Sequence, residues 1–209
     1  MRKPIEVGYK ELEEQFPGFG DSALLPFEIP PKYGQMSLLE TAILSRIISV
    51  LNPKLIFEFG RCDGNTTAIM ALAAPESFIA TLDLPVALDI YATSNSENAI
   101  KRWEKFGVIN QIGQIFQNSK DFEPENCNIE AFDVVLVDAG HELDEVTNDC
   151  EKGIEMLKVG GILFVHDFGK RNFPAVTSFV ASKAKEWDFK WINSRQDYLE
   201  TSLCYCIKK

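Results

Sequence analysis

The chain has 209 residues, 45% of them hydrophobic and 25% charged, which is enough for one sizeable core but short for two domains. Acidic residues outnumber basic ones by 31 to 21, giving a net charge of −10, which opposes nucleic-acid phosphates or an anionic membrane surface as the main partner. No apolar run approaches the roughly 20 residues of a membrane span, and residues 1–16, MRKPIEVGYKELEEQF, lack the apolar stretch of a secretory signal, so the expected compartment is the cytoplasm.

Tyr9 to Phe16 reads as a short helix. Residues 17–34, PGFGDSALLPFEIPPKYG, mix proline and glycine with Leu24, Leu25, Phe27 and Ile29, the composition of an ordered surface strap or lid. The chain therefore divides into a strap or lid over residues 1–34 and a main domain over residues 35–209. The apolar side chains of the strap could cover a helix or meet a second subunit, and the sequence leaves a homo-oligomer open. From Ser37 to Val50 the apolar residues recur at helical spacing, and Asn52-Pro53 stops the helix.

Strands and helices then alternate. Strands are expected over 55–60, 77–84, 111–117, 132–140 and 160–167, and helices over 65–74, 96–106 and 142–157. That order builds a parallel sheet covered on both faces, and the apolar runs VVLV and ILFV suit strands that see no water. A further helix spans Phe173 to Trp187, with Pro174 in its first turn and Trp187 on its apolar face. The segments 189–192 and 202–207 are joined too closely for a parallel crossover, so they form an antiparallel hairpin in which Trp191 packs rather than stacks on a ligand. The expectation is an α/β, Rossmann-like fold with seven mostly parallel strands, helices on both faces and an antiparallel C-terminal strand. Five cysteines at 62, 127, 150, 204 and 206 follow no disulfide framework. Cys204 and Cys206 share one strand face, and all five read as reduced thiols.

The stretch FEFGRCDGNTT, residues 57–67, falls at the first strand-to-helix turn, where open parallel sheets bind ligands. Gly60 lets the chain leave the strand in a conformation that side chains avoid. Gly64 lets backbone approach a ligand or lets the helix pack closely. Asn65, Thr66 and Thr67 are helix-capping residues. A GxGxxG pattern from Gly60 fails at Cys62 and Asn65, and no Gly-Lys-Ser/Thr follows for a phosphate loop. Arg61 is the one basic residue nearby, while Glu58 and Asp63 add negative charge. Such a turn suits a cationic ligand without phosphate.

Glu58-Phe59-Gly60-Arg61-Cys62-Asp63-Gly64 resembles motif I of the class I S-adenosylmethionine-dependent methyltransferases, and the resemblance extends from about Gly34 to the C-terminus. It implies a cofactor site built from Glu58, Gly60, Arg61, Cys62, Asp63 and Gly64. Asp83, followed by Leu84, would hold the ribose hydroxyls. Asn118 and Ser119 would contact adenine, and Asp138 and Ala139 would complete the wall. Phe16, Phe19, Leu24, Leu25, Phe27 and Tyr33 are candidates for an acceptor pocket. The chain has only two histidines, His141 and His166, each past a strand end beside the expected cofactor. For an oxygen acceptor, an imidazole near its ordinary pKa of about 6.5 is a fitting base, with His141 the first choice, His166 the second, and Asp138 beside them.

Catechol-type members of the family hold magnesium through an Asp after the fourth strand and an Asp-Asn pair after the fifth. Asp138 matches the first, but the pair here is His166-Asp167. Asp138, His166 and Asp167 are thus candidate metal ligands, with manganese, iron or zinc as open as magnesium. The stretch resembles sugar- and antibiotic-modifying members of the family. The implied activity is O-methylation of a small molecule such as a sugar, a phenol or another natural product. Two other readings use the same scaffold: an oxidoreductase binding a nicotinamide nucleotide, and a non-catalytic binding protein.

Overall fold

Each strand segment sends alternate side chains to two different cores, and that alternation organises the molecule. The structure, a computed structural model, describes residues 3–21, 35–85, 87–89, 91–127, 130–197 and 199–209. Leu24, Leu25, Phe27, Ile29 and Tyr33 of the expected strap lie outside the described residues. In chain order the elements are β1 (Ile5–Val7), α1 (Tyr9–Gln15), α2 (Leu38–Leu51), β2 (Leu55–Phe59), α3 (Asn65–Ala73), β3 (Phe78–Asp83), α4 (Ala92–Lys105), β4 (Ile112–Phe116), β5 (Phe132–Val137), α5 (Leu143–Met156), β6 (Leu157–Val165), α6 (Pro174–Lys183), β7 (Lys190–Ser194) and β8 (Leu199–Ile207).

The strands form one sheet in the order β1-β7-β8-β6-β5-β2-β3-β4. β8 runs antiparallel to β6 and β7, and the other pairs are parallel. The expected hairpin is present. The count of seven strands is corrected to eight: β1, only three residues long, pairs with β7 at the sheet edge. A strand that short shows no alternation to read. α4 also begins a turn earlier than expected, because its first residues, Ala92 to Asn95, carry no apolar stripe.

Ile56, Val134, Leu136, Ile162 and Phe164 face a core shared with α2, α3 and α4. Their neighbours Phe57, Val135, Val137, Leu163 and Val165 face a second core shared with α5 and α6. Cys204 and Cys206 join the second core, both buried and both free thiols. Trp187 packs edge-on against Phe179, and Trp191 against Phe168, with its indole N–H donating to Thr201 O at 2.8 Å. Phe16 and Phe19 are buried in the first core, where Phe16 meets Tyr205. Both are among the sequence's candidates for an acceptor pocket. Among the described residues no helix is long and apolar enough to cross a membrane.

Candidate active site

Strand register sets the site. Phe59 is level with Leu82 and Val137, and Val137 with Val165. The next residues, Gly60, Asp83, Asp138 and His166, therefore meet along one edge of the sheet. β2 has β3 on one side and β5 on the other, so the chain order reverses there, and such a switch point opens a crevice at the carboxyl ends of the strands.

Gly60 has φ +89°, and a Cβ on it would lie 2.1 Å from the Asp138 carbonyl oxygen. Only glycine lets the ends of β2 and β5 approach this closely. Gly64 has φ +71°, and a Cβ there would meet Ala99 and the Trp103 ring at 2.7 Å. Its carbonyl also accepts the Trp103 indole N–H at 2.9 Å. Gly64 thus serves the packing of α4 on the loop. The expected side-chain cap on α3 is absent, since Gly64 itself occupies the cap position. Thr67 instead turns inward, donating to Glu58 Oε2 at 2.5 Å, where Thr81 also donates at 2.7 Å.

A cleft of about 390 Å³ lies over this edge, in the size range of small-ligand sites. Of the residues singled out in the sequence, Gly60, Cys62, Asp83, Leu84, Asn118, Ser119, Asp138, Ala139 and His141 line it. Asp89, Asn95, Gln117 and Glu145 line it as well, unannounced by any motif. Glu58, Arg61, Asp63 and Gly64 support the wall from behind.

The source of negative charge also differs from expectation. Burial pushes the Glu58 carboxyl up to about 8, against the two threonine hydrogen bonds and with the help of the neighbouring Asp138 and Asp83 charges. It is therefore mostly protonated at neutral pH. Asp63 pairs with Arg102 at 2.9 Å and accepts from the Gln35 amide at 2.6 Å. Arg61 is buried, reaching Gln114, Ser96 and, at 3.6 Å, Asp83. The acidity of the cleft comes instead from Asp83, Asp89, Asp138 and Glu145, and no Lys or Arg appears among its lining residues. Asp83 is held ready, with Oδ2 accepting from Cys62 N and Oδ1 from Leu84 N, both at 2.8 Å. Each oxygen keeps a lone pair for a ribose hydroxyl.

The two histidines differ sharply. His141 lines the cleft, stacks on Phe173 at 3.8 Å, and sets Nε2 2.7 Å from Asp167 Oδ2. An ionised carboxylate only accepts, so Nε2 carries the proton of this bond, and in the neutral ring Nδ1 is the nitrogen with the lone pair. Asp167 takes a left-handed backbone, φ 68°, to reach it. Burial works against the Asp167 charge, but His141, His166 and Lys170 outweigh it and hold the carboxyl below its ordinary value.

His166 is buried, with Nδ1 2.8 Å from Asp138 Oδ1 and 3.2 Å from Asp167 Oδ1, and Nε2 3.3 Å from Glu40 Oε2. Burial alone would lower its pKa, yet Asp138, Glu40 and Asp167 carry it up to about 10. As an imidazolium it has no lone pair with which to accept a proton. Glu40, absent from the sequence reading, accepts Ser202 N and Oγ at 2.6 Å each and caps its own helix through Ser37 N. Burial disfavours its charge, but His166 and Ser202 hold its carboxyl well below the usual range.

Asp138, His166 and Asp167 each offer a ligand atom, all within 4.8 Å of one another. Glu40 on the far nitrogen of His166 matches the way a carboxylate orients a metal-bound imidazole. The donor set therefore fits a divalent ion that would take the place of the Nδ1 proton.

A family model described as a methyltransferase domain matches residues 57–168. No curated protein matches the sequence. Among solved structures, the chain is similar to the O-methyltransferase TomG from Streptomyces achromogenes, involved in tomaymycin synthesis and solved with SAM. That match has 15% identity, covers 96% of this chain and 98% of the other, and has a TM-score of 0.67. An O-methyltransferase from Bacillus cereus in complex with SAH matches at 14% identity, 96% and 91% coverage and a TM-score of 0.63. An rRNA methylase from Streptococcus thermophilus matches at 14% identity, 80% and 95% coverage and a TM-score of 0.57. The three share this fold.

Proposed function

The chain belongs to the methyltransferase domain family, and from that premise we propose that it transfers a methyl group from S-adenosylmethionine to an oxygen of a small hydroxylated molecule. The observation that carries the reading is the cleft at the switch point, walled by Asp83, Asp138 and Glu145 and free of basic lining residues. A nucleoside with cationic groups and no phosphate suits that wall, whereas a dinucleotide would place a pyrophosphate against carboxylates. Asp83 would hold the ribose, Asn118 and Ser119 the purine, and the turn at Gly60 and Cys62 the amino-acid end. Glu58, Arg61, Asp63 and Gly64 act here as the support that fixes this turn. Bound there, the cofactor supplies an electrophilic methyl group.

His141 is the base in this reading. Asp167 fixes its tautomer and Phe173 its plane, so Nδ1 is the atom that takes the acceptor's hydroxyl proton. Asp167 then faces the imidazolium that results. His166 leaves the role of second base and becomes the cross-link that holds Asp138 and Asp167 in place. If a divalent ion is used, Asp138, His166 and Asp167 hold it, and it would bind two acceptor oxygens and ease loss of the proton. The imidazole donor favours manganese over magnesium. Alignment of acceptor, methyl and sulfur supplies much of the rate. A small-molecule acceptor fits the net acidity better than RNA does, and a reducing compartment such as the cytoplasm suits five free thiols.

The test is calorimetric titration with S-adenosylhomocysteine, followed by methyl transfer from labelled S-adenosylmethionine to a panel of sugars, phenols and other hydroxylated compounds. Micromolar binding with transfer to at least one panel member is expected. Tight binding of a nicotinamide dinucleotide with no response to S-adenosylhomocysteine would end the proposal.

A further inference from the structure

One wall of the cleft is the turn after β4 in which Asn118 and Ser119 sit. It is closed internally by Asp121 N donating to Asn118 O at 2.9 Å and Lys120 N donating to Asn118 Oδ1 at 3.0 Å. Further support comes from α5. Lys152 Nζ donates to Ser119 O at 2.7 Å, Lys120 O at 3.1 Å and Phe122 O at 2.6 Å. An ammonium has three protons, so the three carbonyls use all of them. Three carbonyls from four consecutive residues converge on one point only when the loop takes one conformation. One turn earlier on α5, buried Asp149 accepts from Asn148 Nδ2 at 2.8 Å; burial raises its pKa, and the nearby Ser119 side chain works against that rise. A lysine and an aspartate three apart on one helix thus face the same residue, and the lysine holds it by its backbone.

We propose that Lys152, seconded by Asp149, is the positioning residue that shapes the purine-facing wall of the cleft and so sets cofactor affinity. The inference rests on the cofactor reading given above. Lys152 is not among the residues that line the cleft; it acts through Ser119 and its neighbours. The loss of its charge-assisted hydrogen bonds frees the loop to take many conformations, and the cofactor must then reorder it on binding.

The molecule contains its own control. Lys208 Nζ binds Leu157 O at 2.7 Å and Glu155 O at 3.4 Å, with Glu130 at 3.4 Å. This is the same ammonium-to-carbonyl device at the amino end of β6, at the opposite end of the sheet from the cleft. Lys152→Met and Lys208→Met remove comparable bonds, so both lower thermal stability. Only Lys152→Met should weaken S-adenosylhomocysteine, by about 10-fold or more in Kd, while turnover at saturating cofactor and the acceptor KM stay near the parent values.

Calorimetry on both folded variants decides the matter. Parent-like affinity in Lys152→Met overturns the proposal, and so does equal weakening in Lys208→Met, which would mark a general stability effect. Should Lys152→Met not fold, Lys152→Gln, which loses the charge but keeps two N–H donors, is judged by the same two criteria. A parent protein that ignores S-adenosylhomocysteine altogether would instead refute the cofactor reading, a separate outcome.

Discussion

Glu58→Gln should gain stability on the parent as pH rises from acid to alkaline conditions. In the folded chain Glu58 is fully buried, its Oε2 accepts from two threonines, and Oε1 has no partner among the described residues. Burial moves its pKa from an ordinary 4.5 up to about 8. Between those values the unfolded chain has lost the proton and the folded chain keeps it. Stability supplied by the neutral form is thus complete below about 4.5 and is lost as pH rises to about 8, at about 1.4 kcal/mol per pH unit. Across the whole window the loss is about 5 kcal/mol, comparable with the total stability of many domains. Glutamine cannot ionise, so it escapes that loss. Its amide places N–H groups where Oε1 has no partner, but with both threonines donating to Oε2 the parent's own carboxyl proton has none there either, so the two neutral side chains are comparable. The variant should therefore be close to the parent at pH 5 and the stronger protein at pH 8, gaining about 4 kcal/mol on it between the two. Urea unfolding of both proteins at several pH values measures the difference, and the titration of His166, common to both, cancels. Parallel curves would show that Glu58 is ionised in the fold and would refute the reasoning.

His141→Asn and Asp167→Asn should each lower turnover by about 100- to 10,000-fold with unchanged S-adenosylhomocysteine affinity; a fall in affinity without a fall in turnover would remove His141 from the chemistry. His166→Asn removes the cation shared by Asp138, Asp167 and Glu40 and should cost about 3–5 kcal/mol at pH 7, a deficit that narrows towards pH 4 as the carboxylates protonate; thermal melts across that range are the check, and a pH-independent deficit contradicts the charge argument. In Gly60→Ala the added Cβ meets the Asp138 carbonyl in a left-handed backbone, for a loss of about 2–5 kcal/mol; an unshifted melting temperature would mean that the ends of β2 and β5 do not abut. If Asp138, His166 and Asp167 hold an ion, dialysis against a chelator should abolish turnover and manganese should restore it, whereas full turnover after chelation removes the ion from the mechanism.

The parallel sheet was legible because its strands are apolar on both faces and its helices carry one stripe each. Those are local signals, and they survive without tertiary knowledge. The residues at the strand ends were legible for the same reason: once Phe59, Val137 and Val165 are placed, the positions of Gly60, Asp138 and His166 follow. What was not legible depends on contacts distant in sequence. Glu40 was not legible because its partners Ser202 and His166 lie 162 and 126 residues away. Glu58 and Asp63 read as anionic, but the protonation of one comes from burial and the pairing of the other from Arg102. Thr66 and Thr67 follow a glycine as caps do, and only the fold shows that Thr67 is claimed by Glu58. β1 is too short for any pattern.

The link between Glu40 and Ser202 also bears on how the site comes into being. Glu40 leaves the ribosome 162 residues ahead of Ser202, so the corner around His166, which lies between them, is completed only after that stretch has been made. Until β8 docks, the acid at the start of α2 has Ser37 N on one oxygen but lacks both Ser202 donors on the other. A chain that stops short of β8 therefore leaves this buried carboxylate half satisfied, and the order of synthesis makes β8 the element that closes the corner.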